Sequence, residues 1–155
     1  MLEKLRATIH EFYGDDPRTS PDYGRIINKE HVARLKELMK CGTPVAGGTV
    51  HEEERYIAPT VLTEVSLDAP VMQQEIFGPL LPALPFRDVK EVKRILTSMA
   101  PPLTVYVFTN SDAEANGLKD AVRAGSICVN DTIMHVADPK LPFGGVGTSG
   151  FGHYH

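Results

Sequence analysis

The sequence predicts an α/β fold, a partial parallel sheet with flanking helices, and three observations carry that expectation. Two β-branched and aromatic runs, 103–109 and 126–130, are separated by a stretch whose apolar residues recur every three or four positions. A third apolar run, 80–86, precedes another stretch of the same kind. Each helical stretch opens on a short polar residue with glutamate three positions later, Asp88 with Glu91 and Ser111 with Glu114, the pattern of a capping box. The order strand, helix, strand, helix, strand implies two right-handed crossovers and strands running parallel beneath covering helices.

From the beginning of the chain, Leu2, Leu5, Ile9 and Phe12 fall on one helical face and Gly14 supplies a left-handed stop, predicting a helix over 2–13. Asp15-Asp16-Pro17 to Ser20-Pro21-Asp22 is turn chemistry, in which proline fixes φ and aspartate bonds its own backbone. Asn28 is placed to cap a second helix, with Val32, Leu35, Leu38 and Met39 facing inward and Cys41-Gly42 ending it. Residues 43–65 read as short strands and turns. Within them His51 to Arg55, including Glu52-Glu53-Glu54, is a solvated turn, and Pro59 marks Tyr56 to Leu62 as an edge or irregular strand. Pro82 and Pro85 likewise count against 80–86 as a central strand. Val89, Val92, Ile95, Leu96 and Met99 form an amphipathic face stopped by Pro101-Pro102, and Ala115, Leu118, Ala121 and Val122 line a helix ending at Gly125. Ligands of parallel sheets gather beyond the carboxyl ends of the strands, here near Thr109-Asn110 and Asn130-Asp131. The glycine-rich tail, 141–155, has no periodicity and must either follow a close, specific path or be a disordered end.

Composition narrows the function classes. At 155 residues, 42% hydrophobic and 23% charged, the chain is long enough for one compact domain with a true core. A net charge of −4 argues against a nucleic-acid partner, which needs a basic footprint. No apolar run is long enough for a membrane segment, and the charged stretch Met1 to Tyr13 lacks the apolar core of a secretory signal. With only two cysteines, Cys41 and Cys128, a reducing cytoplasmic setting is the simpler reading. Cys128, within Ser126-Ile127-Cys128-Val129, reads as a buried and therefore inert strand thiol rather than a nucleophile.

Three motifs bear on chemistry. Glu75-Ile76-Phe77-Gly78-Pro79 fits two descriptions: a surface glutamate and a core phenylalanine ahead of a strand, or a rim presenting a carboxylate to sugar hydroxyls and a ring to a flat heterocycle. Gly145-x-Gly147-x-x-Gly150 matches the dinucleotide fingerprint in letters. That fingerprint needs a strand before it and a helix after it, whereas Pro142 precedes this one and Phe151-Gly152-His153 follows, so the match is expected to be false. His153 and His155 lack carboxylate or cysteine companions, and no metal site is expected there. Asn130-Asp131-Thr132 spells a glycosylation sequon but reads as a strand end.

Several spaced segments together resemble the C-terminal part of an aldehyde dehydrogenase of the class 3 type. They are Phe12-Tyr13-Gly14 with Asp22-Tyr23-Gly24-Arg25-Ile26-Ile27-Asn28, then Tyr56-Ile57-Ala58-Pro59-Thr60-Val61-Leu62, then Glu75-Ile76-Phe77-Gly78-Pro79. Val129-Asn130-Asp131, Pro142-Phe143-Gly144-Gly145-Val146-Gly147 and Gly152-His153-Tyr154-His155 complete the series, so the resemblance covers 1–155 as a partial catalytic domain. It implies that Glu75 holds the nicotinamide ribose of NAD or NADP, that Phe77 packs on the nicotinamide, and that Phe143 lines the aldehyde pocket within a loop over 141–155. Asn130 and the glycines after Phe143 would support that pocket, with Thr132 to Asp138 shaping substrate choice. In such enzymes a cysteine thiolate attacks the aldehyde, NAD(P)+ takes the hydride, and a glutamate-activated water releases the acid. Neither Cys41 nor Cys128 has the nucleophile's context, so no catalytic residue is expected here, and nucleophile, base and most of the cofactor domain would lie upstream. The resemblance thus implies a fragment inactive alone, belonging to a cytoplasmic homodimer that oxidises a small-molecule aldehyde. The rival expectation is a non-catalytic module docking onto intact dehydrogenase subunits.

Overall fold

The structure, a computed structural model, describes residues 1–154 and divides into two compact units, Met1–Pro85 and Phe86–His155.

The first unit opens with α1 (Leu2–Tyr13), ended by Gly14 at φ +76, whose N–H donates to the His10 carbonyl at 2.8 Å. Leu2, Leu5 and Ile9 are half-buried as expected, but Phe12 is largely exposed and Tyr13 takes its place on the inner face. After Ile9 both the third and the fourth following residues are aromatic, so spacing alone did not distinguish them. Helix α2 (Lys29–Met39) is capped by the Asn28 side chain, which accepts from the His31 N–H at 2.8 Å. Its Val32, Leu35 and Leu38 pack with Ile57, Val71 and Leu80 into the main core.

Four short strands follow, β1 (Thr43–Ala46), β2 (Val50–His51), β3 (Tyr56–Ile57) and β4 (Thr60–Thr63), then the single-turn helix α3 (Pro70–Gln73) and β5 (Leu80–Pro82). β2 and β3 form an antiparallel hairpin around the Glu52–Glu54 turn, whose carboxylates pair with Lys36, Lys29 and Arg18. The other three strands form a sheet in the order β1-β4-β5, antiparallel on one side of β4 and parallel on the other. β4 is therefore a central strand, with Thr60, Val61 and Leu62 buried, where an edge or irregular strand was expected. The reason is that Pro59 falls between β3 and β4, so its missing N–H costs no ladder bond. β5, with Pro82, lies at the edge as its proline predicts.

The second unit contains α4 (Val89–Ser98), β6 (Thr104–Val107), α5 (Asp112–Ala121), β7 (Ser126–Val129), the single-turn helix α6 (Met134–Ala137) and a 3₁₀ turn at Gly147–Ser149. β6 and β7 pair in parallel, Thr104 opposite Ser126 and Val107 opposite Val129. Val107, Leu118 and Val122 form the buried cluster, covered by Val89, Val92 and Leu96 of α4. The predicted three-stranded parallel array is corrected here: β5 pairs in parallel with β4, across a connection that carries α3, while α5 connects β6 to β7 in a separate two-stranded sheet. The helix pattern was right, but strand partners lie outside local sequence. The capping boxes are also one-sided. Asp88 and Ser111 accept from the N–H groups of Glu91 and Glu114, while the Glu91 carboxylate turns to the Arg87 N–H and Glu114 to the Thr109 hydroxyl. α5 stops at Ala121 rather than at Gly125, because Val122 is already extended at φ −109, and Ala121 itself is exposed. The expected buried strand 103–109 alternates instead, with Val107 inside and Tyr106 and Phe108 exposed. Among the described residues no helix is long and apolar enough to cross a membrane.

Candidate functional site

The segment Gln74–Gly78 leaves the end of α3 as an exposed loop. Glu75 is exposed and Phe77 is 73% exposed, so the description of a core phenylalanine ahead of a strand does not hold. Phe77 adopts φ +46, a conformation that a side chain bearing Cβ occupies at a cost and keeps only where its surroundings impose it. Two surroundings do so. On one side the Arg34 guanidinium of α2 donates to the Glu75 carbonyl at 3.3 Å, the Ile76 carbonyl at 2.5 Å and the Gln74 side-chain oxygen at 3.1 Å. On the other, Gly78 lies so close to Leu35 that an added Cβ would stand 2.5 Å from its Cδ1. Leu35 is fully buried and has nowhere to go. The loop is thus fastened by one helix, through Arg34 and Leu35 on adjacent positions.

Arg34 was not legible as a functional residue in the sequence. Its signal is a cation set beside the apolar face Val32-Leu35-Leu38, but the partners are about forty residues away and no local pattern names them.

Upstream, the Asp22-Tyr23-Gly24-Arg25 segment is held by an aromatic ladder. Tyr23 packs edge-on against Tyr13 and Tyr56 with centroids 5.0 and 5.7 Å away, and Arg25 covers the Tyr56 ring at 5.2 Å. The Tyr23 hydroxyl donates to the Ile57 carbonyl at 2.7 Å, and burial, with Tyr56 and Tyr13 close by, pushes its pKa far above the ordinary phenol value. This is a structural tyrosine, locked in its neutral form. A cleft of about 550 Å³ opens in the same unit between α1, the following turn and the β2–β3 hairpin, lined by Arg6, Ile9, His10, Arg18 and Tyr56 among others. None of Glu75, Phe77 or Phe143 lines it.

In the second unit the glycine-rich tail follows a close path. Phe143 and Tyr154 exchange two backbone hydrogen bonds, at 2.9 and 2.7 Å, closing the tail into a loop. Inside it a Cβ on Gly144 would lie 2.1 Å from the Gly152 carbonyl oxygen, so only glycine fits. The residues of the fingerprint-like motif form the three-residue 3₁₀ turn, and no α-helix follows them among the described residues. His155 lies outside the described residues, so the His153/His155 pair is not described further.

Phe143 is half-buried and its ring lies 5.9 Å from that of His135 on α6. His135 is 7% exposed and was not singled out by sequence. Its Nε2 lies 2.9 Å from the Thr104 hydroxyl and its Nδ1 3.4 Å from Cys128 Sγ, with Tyr106 edge-on at 5.7 Å. Cys128, expected as a buried strand thiol, is half-buried and bonded to an imidazole. The clue in sequence was a histidine inside the apolar stretch Ile133–Val136. Asn130, at φ +56, clasps Thr109 by both amide atoms at 3.0 Å and ties the carboxyl ends of β6 and β7 together. The nitrogen that a glycan would occupy is the one donating to the Thr109 carbonyl.

The aldehyde dehydrogenase family model matches residues 1–155, from end to end. The chain belongs to the aldehyde dehydrogenase family. Among curated relatives it is 45% identical over 155 residues to human aldehyde dehydrogenase family 3 member B1 and 43% identical to the rat dimeric NADP-preferring aldehyde dehydrogenase. All of this chain is covered in both, but only 33% and 34% of those proteins, so it spans about a third of their length. A substrate-bound Staphylococcus aureus AldH superposes with a TM-score of 0.94 at 43% identity, covering 99% of this chain and 34% of that one. An indole-3-acetaldehyde dehydrogenase of P. syringae, in complex with NAD+ and IAA, superposes with a TM-score of 0.83 at 27% identity over 99% of this chain.

Proposed function

We propose that this aldehyde dehydrogenase chain acts as the C-terminal portion of an NAD(P)-dependent enzyme that oxidises a small-molecule aldehyde to the acid, and that it does not turn over alone. The single observation that carries the reading is the loop Gln74–Gly78, which holds an exposed carboxylate and an exposed ring two residues apart in an enforced backbone conformation. The donor chemistry fits a nicotinamide nucleotide: the Glu75 carboxylate accepts from a ribose diol, and the Phe77 ring offers a flat apolar face to a heterocycle. When bound, that cofactor supplies the electron acceptor for the oxidation. The residues of this chain orient it. Arg34 and Gly78 fix the backbone, so little conformational entropy remains to be lost on binding.

Phe143 contributes an aromatic wall to the aldehyde pocket in this reading, backed by His135 and held by its bridge to Tyr154. The loop over 141–155 is then a pocket loop, and Thr132 to Asp138, which carries α6, tunes the substrate. The complete enzyme is read as a cytoplasmic homodimer using NAD or NADP; the rat relative's name, dimeric NADP-preferring aldehyde dehydrogenase, supports the dimer and the nucleotide.

The test is complementation. The chain is mixed with the part of a family 3 relative that precedes the matched third, and NAD(P)+-dependent oxidation of an aldehyde is followed. No turnover is expected from the chain alone, and turnover from the pair. Glu75→Gln in the pair is expected to lower kcat/KM by about 10- to 100-fold, the loss of one hydrogen bond to a charged acceptor. Turnover by the isolated chain, or an unchanged kcat/KM for Glu75→Gln, would overturn the reading. A non-catalytic docking module is favoured instead if the pair binds without turnover. Exposed Phe86, Phe108 and Phe151 in the second unit are the surface that module would use.

A further inference from the structure

His135 backs Phe143 in the proposed pocket, but its contact with the Cys128 thiol serves no step of the dehydrogenase reaction. Cys128 lies on β7 opposite Tyr106 of β6, on the face shared with Thr104 and Ser126 rather than the face of Val107 and Val129 that meets the helices. Helix α6 enters that face from Ile133, a β-branched residue in the left-handed region at φ +67, and delivers His135 to it. The imidazole is held at four points: Thr104 at Nε2, Cys128 at Nδ1, and the Tyr106 and Phe143 rings against its plane.

Two tautomers satisfy these contacts, since the Thr104 hydroxyl can donate or accept. In the one that gives Cys128 a base, Nε2–H donates to the Thr104 oxygen and the Nδ1 lone pair faces Sγ, so the thiol donates to it. A nucleophile, a base within reach of its proton and a third group orienting the base are the parts of an activated cysteine. Cys41 provides the contrast within the same chain. It too is half-buried, yet it packs against the apolar cluster around Val32, Leu35 and Leu38.

We propose that Cys128, with His135 as its base and Thr104 as the group that orients His135, is a site of covalent modification by α,β-unsaturated aldehydes. The step balances without an oxidant. Nδ1 takes the thiol proton, Sγ adds to the β-carbon of the enal, one S–C bond forms as the C=C π bond breaks, and the proton returns to the α-carbon. The aldehyde carbon is unchanged. The apolar surface beside His135 is that of the Tyr106 and Phe143 rings. The choice of enals over other electrophiles rests on the aldehyde reading of Phe143; the reactive thiol does not.

The experiment uses the chain itself and needs no turnover, so its failure leaves the dehydrogenase reading standing, and failed complementation leaves the thiol standing. Peptide mass spectrometry follows adduct formation at Cys128 and Cys41 with iodoacetamide and, separately, with 2-butenal, across pH. Cys128 is expected to react at least about 100-fold faster than Cys41, the low end of what a positioned base supplies. His135→Phe should bring the two rates together, with circular dichroism reporting whether the fold is kept. Thr104→Val, nearly isosteric, should lower the Cys128 rate in part, and it decides the matter if His135→Phe does not fold. Equal rates at the two cysteines, or a rate ratio that neither variant changes, would overturn the proposal. Rapid iodoacetamide labelling without 2-butenal addition would overturn the assignment to enals.

Discussion

The two units bury their apolar residues to different depths. In the first, Val32 and Leu35 are at 0% exposure, because α2 meets the hairpin, the three-stranded sheet and α3 at once. In the second, Val107, Leu118 and Val122 keep 7–8%, under two helices on one face of a two-stranded sheet. The difference teaches where each kind of chemistry sits. A deep core can hold a loop in an unfavourable conformation, as at Phe77, whereas a sheet with its core on one face leaves polar side chains such as Cys128 and Thr104 on the other face, only partly buried.

The largest expected effect tests depth directly. Leu35→Ala should destabilise the first unit by about 3–5 kcal/mol, while Leu118→Ala should cost the second about 2–3 kcal/mol, since the cost rises with the cavity left in packed surroundings. Urea unfolding followed by amide exchange separates the units, and equal costs would erase the contrast. Next, Arg34→Ala removes charged donors from two backbone carbonyls and should cost about 1–2 kcal/mol, being half-exposed. Amide exchange should quicken at Ile76 to Gly78 and stay unchanged at Val105 to Val107. Uniform quickening would mean that Arg34 supports the whole fold rather than the loop.

Those predictions depend on contacts that local sequence did not announce. The helix starts at Asn28, Asp88 and Ser111 were legible because a cap is decided within four residues, and β6 and β7 were legible from their β-branched composition. The central place of β4 was not, since Pro59 looks the same inside a strand and just before one. Glu75 and Phe77 were legible as a carboxylate-and-ring rim, one of two readings of their motif, and resemblance supplied their roles and Phe143, whereas Arg34 and His135, which hold those regions, surfaced only in three dimensions. An arginine forty residues from its carbonyls, or a histidine whose partners are a thiol and a hydroxyl on two strands, is defined by tertiary packing.

The smallest effect concerns acid. Arg87 beside Glu91, through its backbone N–H first and its guanidinium second, holds that carboxyl below the usual glutamate range. A pKa depressed in the folded chain adds stability above the unfolded-state value and loses it as pH falls through the folded one. The start of α4 should therefore loosen on acidification below the ordinary carboxylate range, visible as earlier exchange at Val89 to Val92. Glu91→Gln should remove that pH dependence, and its persistence would assign it elsewhere.

The prolines of the first unit have a consequence for how the protein associates. Both outer strands of its sheet carry one, Pro44 in β1 and Pro82 in β5, and β1 is further bent by an irregular register between Pro44 and Ala46. Such margins discourage another strand from docking sideways. Both members of the β6–β7 pair are margins, and their runs Thr-Val-Tyr-Val and Ser-Ile-Cys-Val hold neither proline nor charge. Sideways pairing of a further strand is therefore less hindered at β6 and β7 than along β1 and β5.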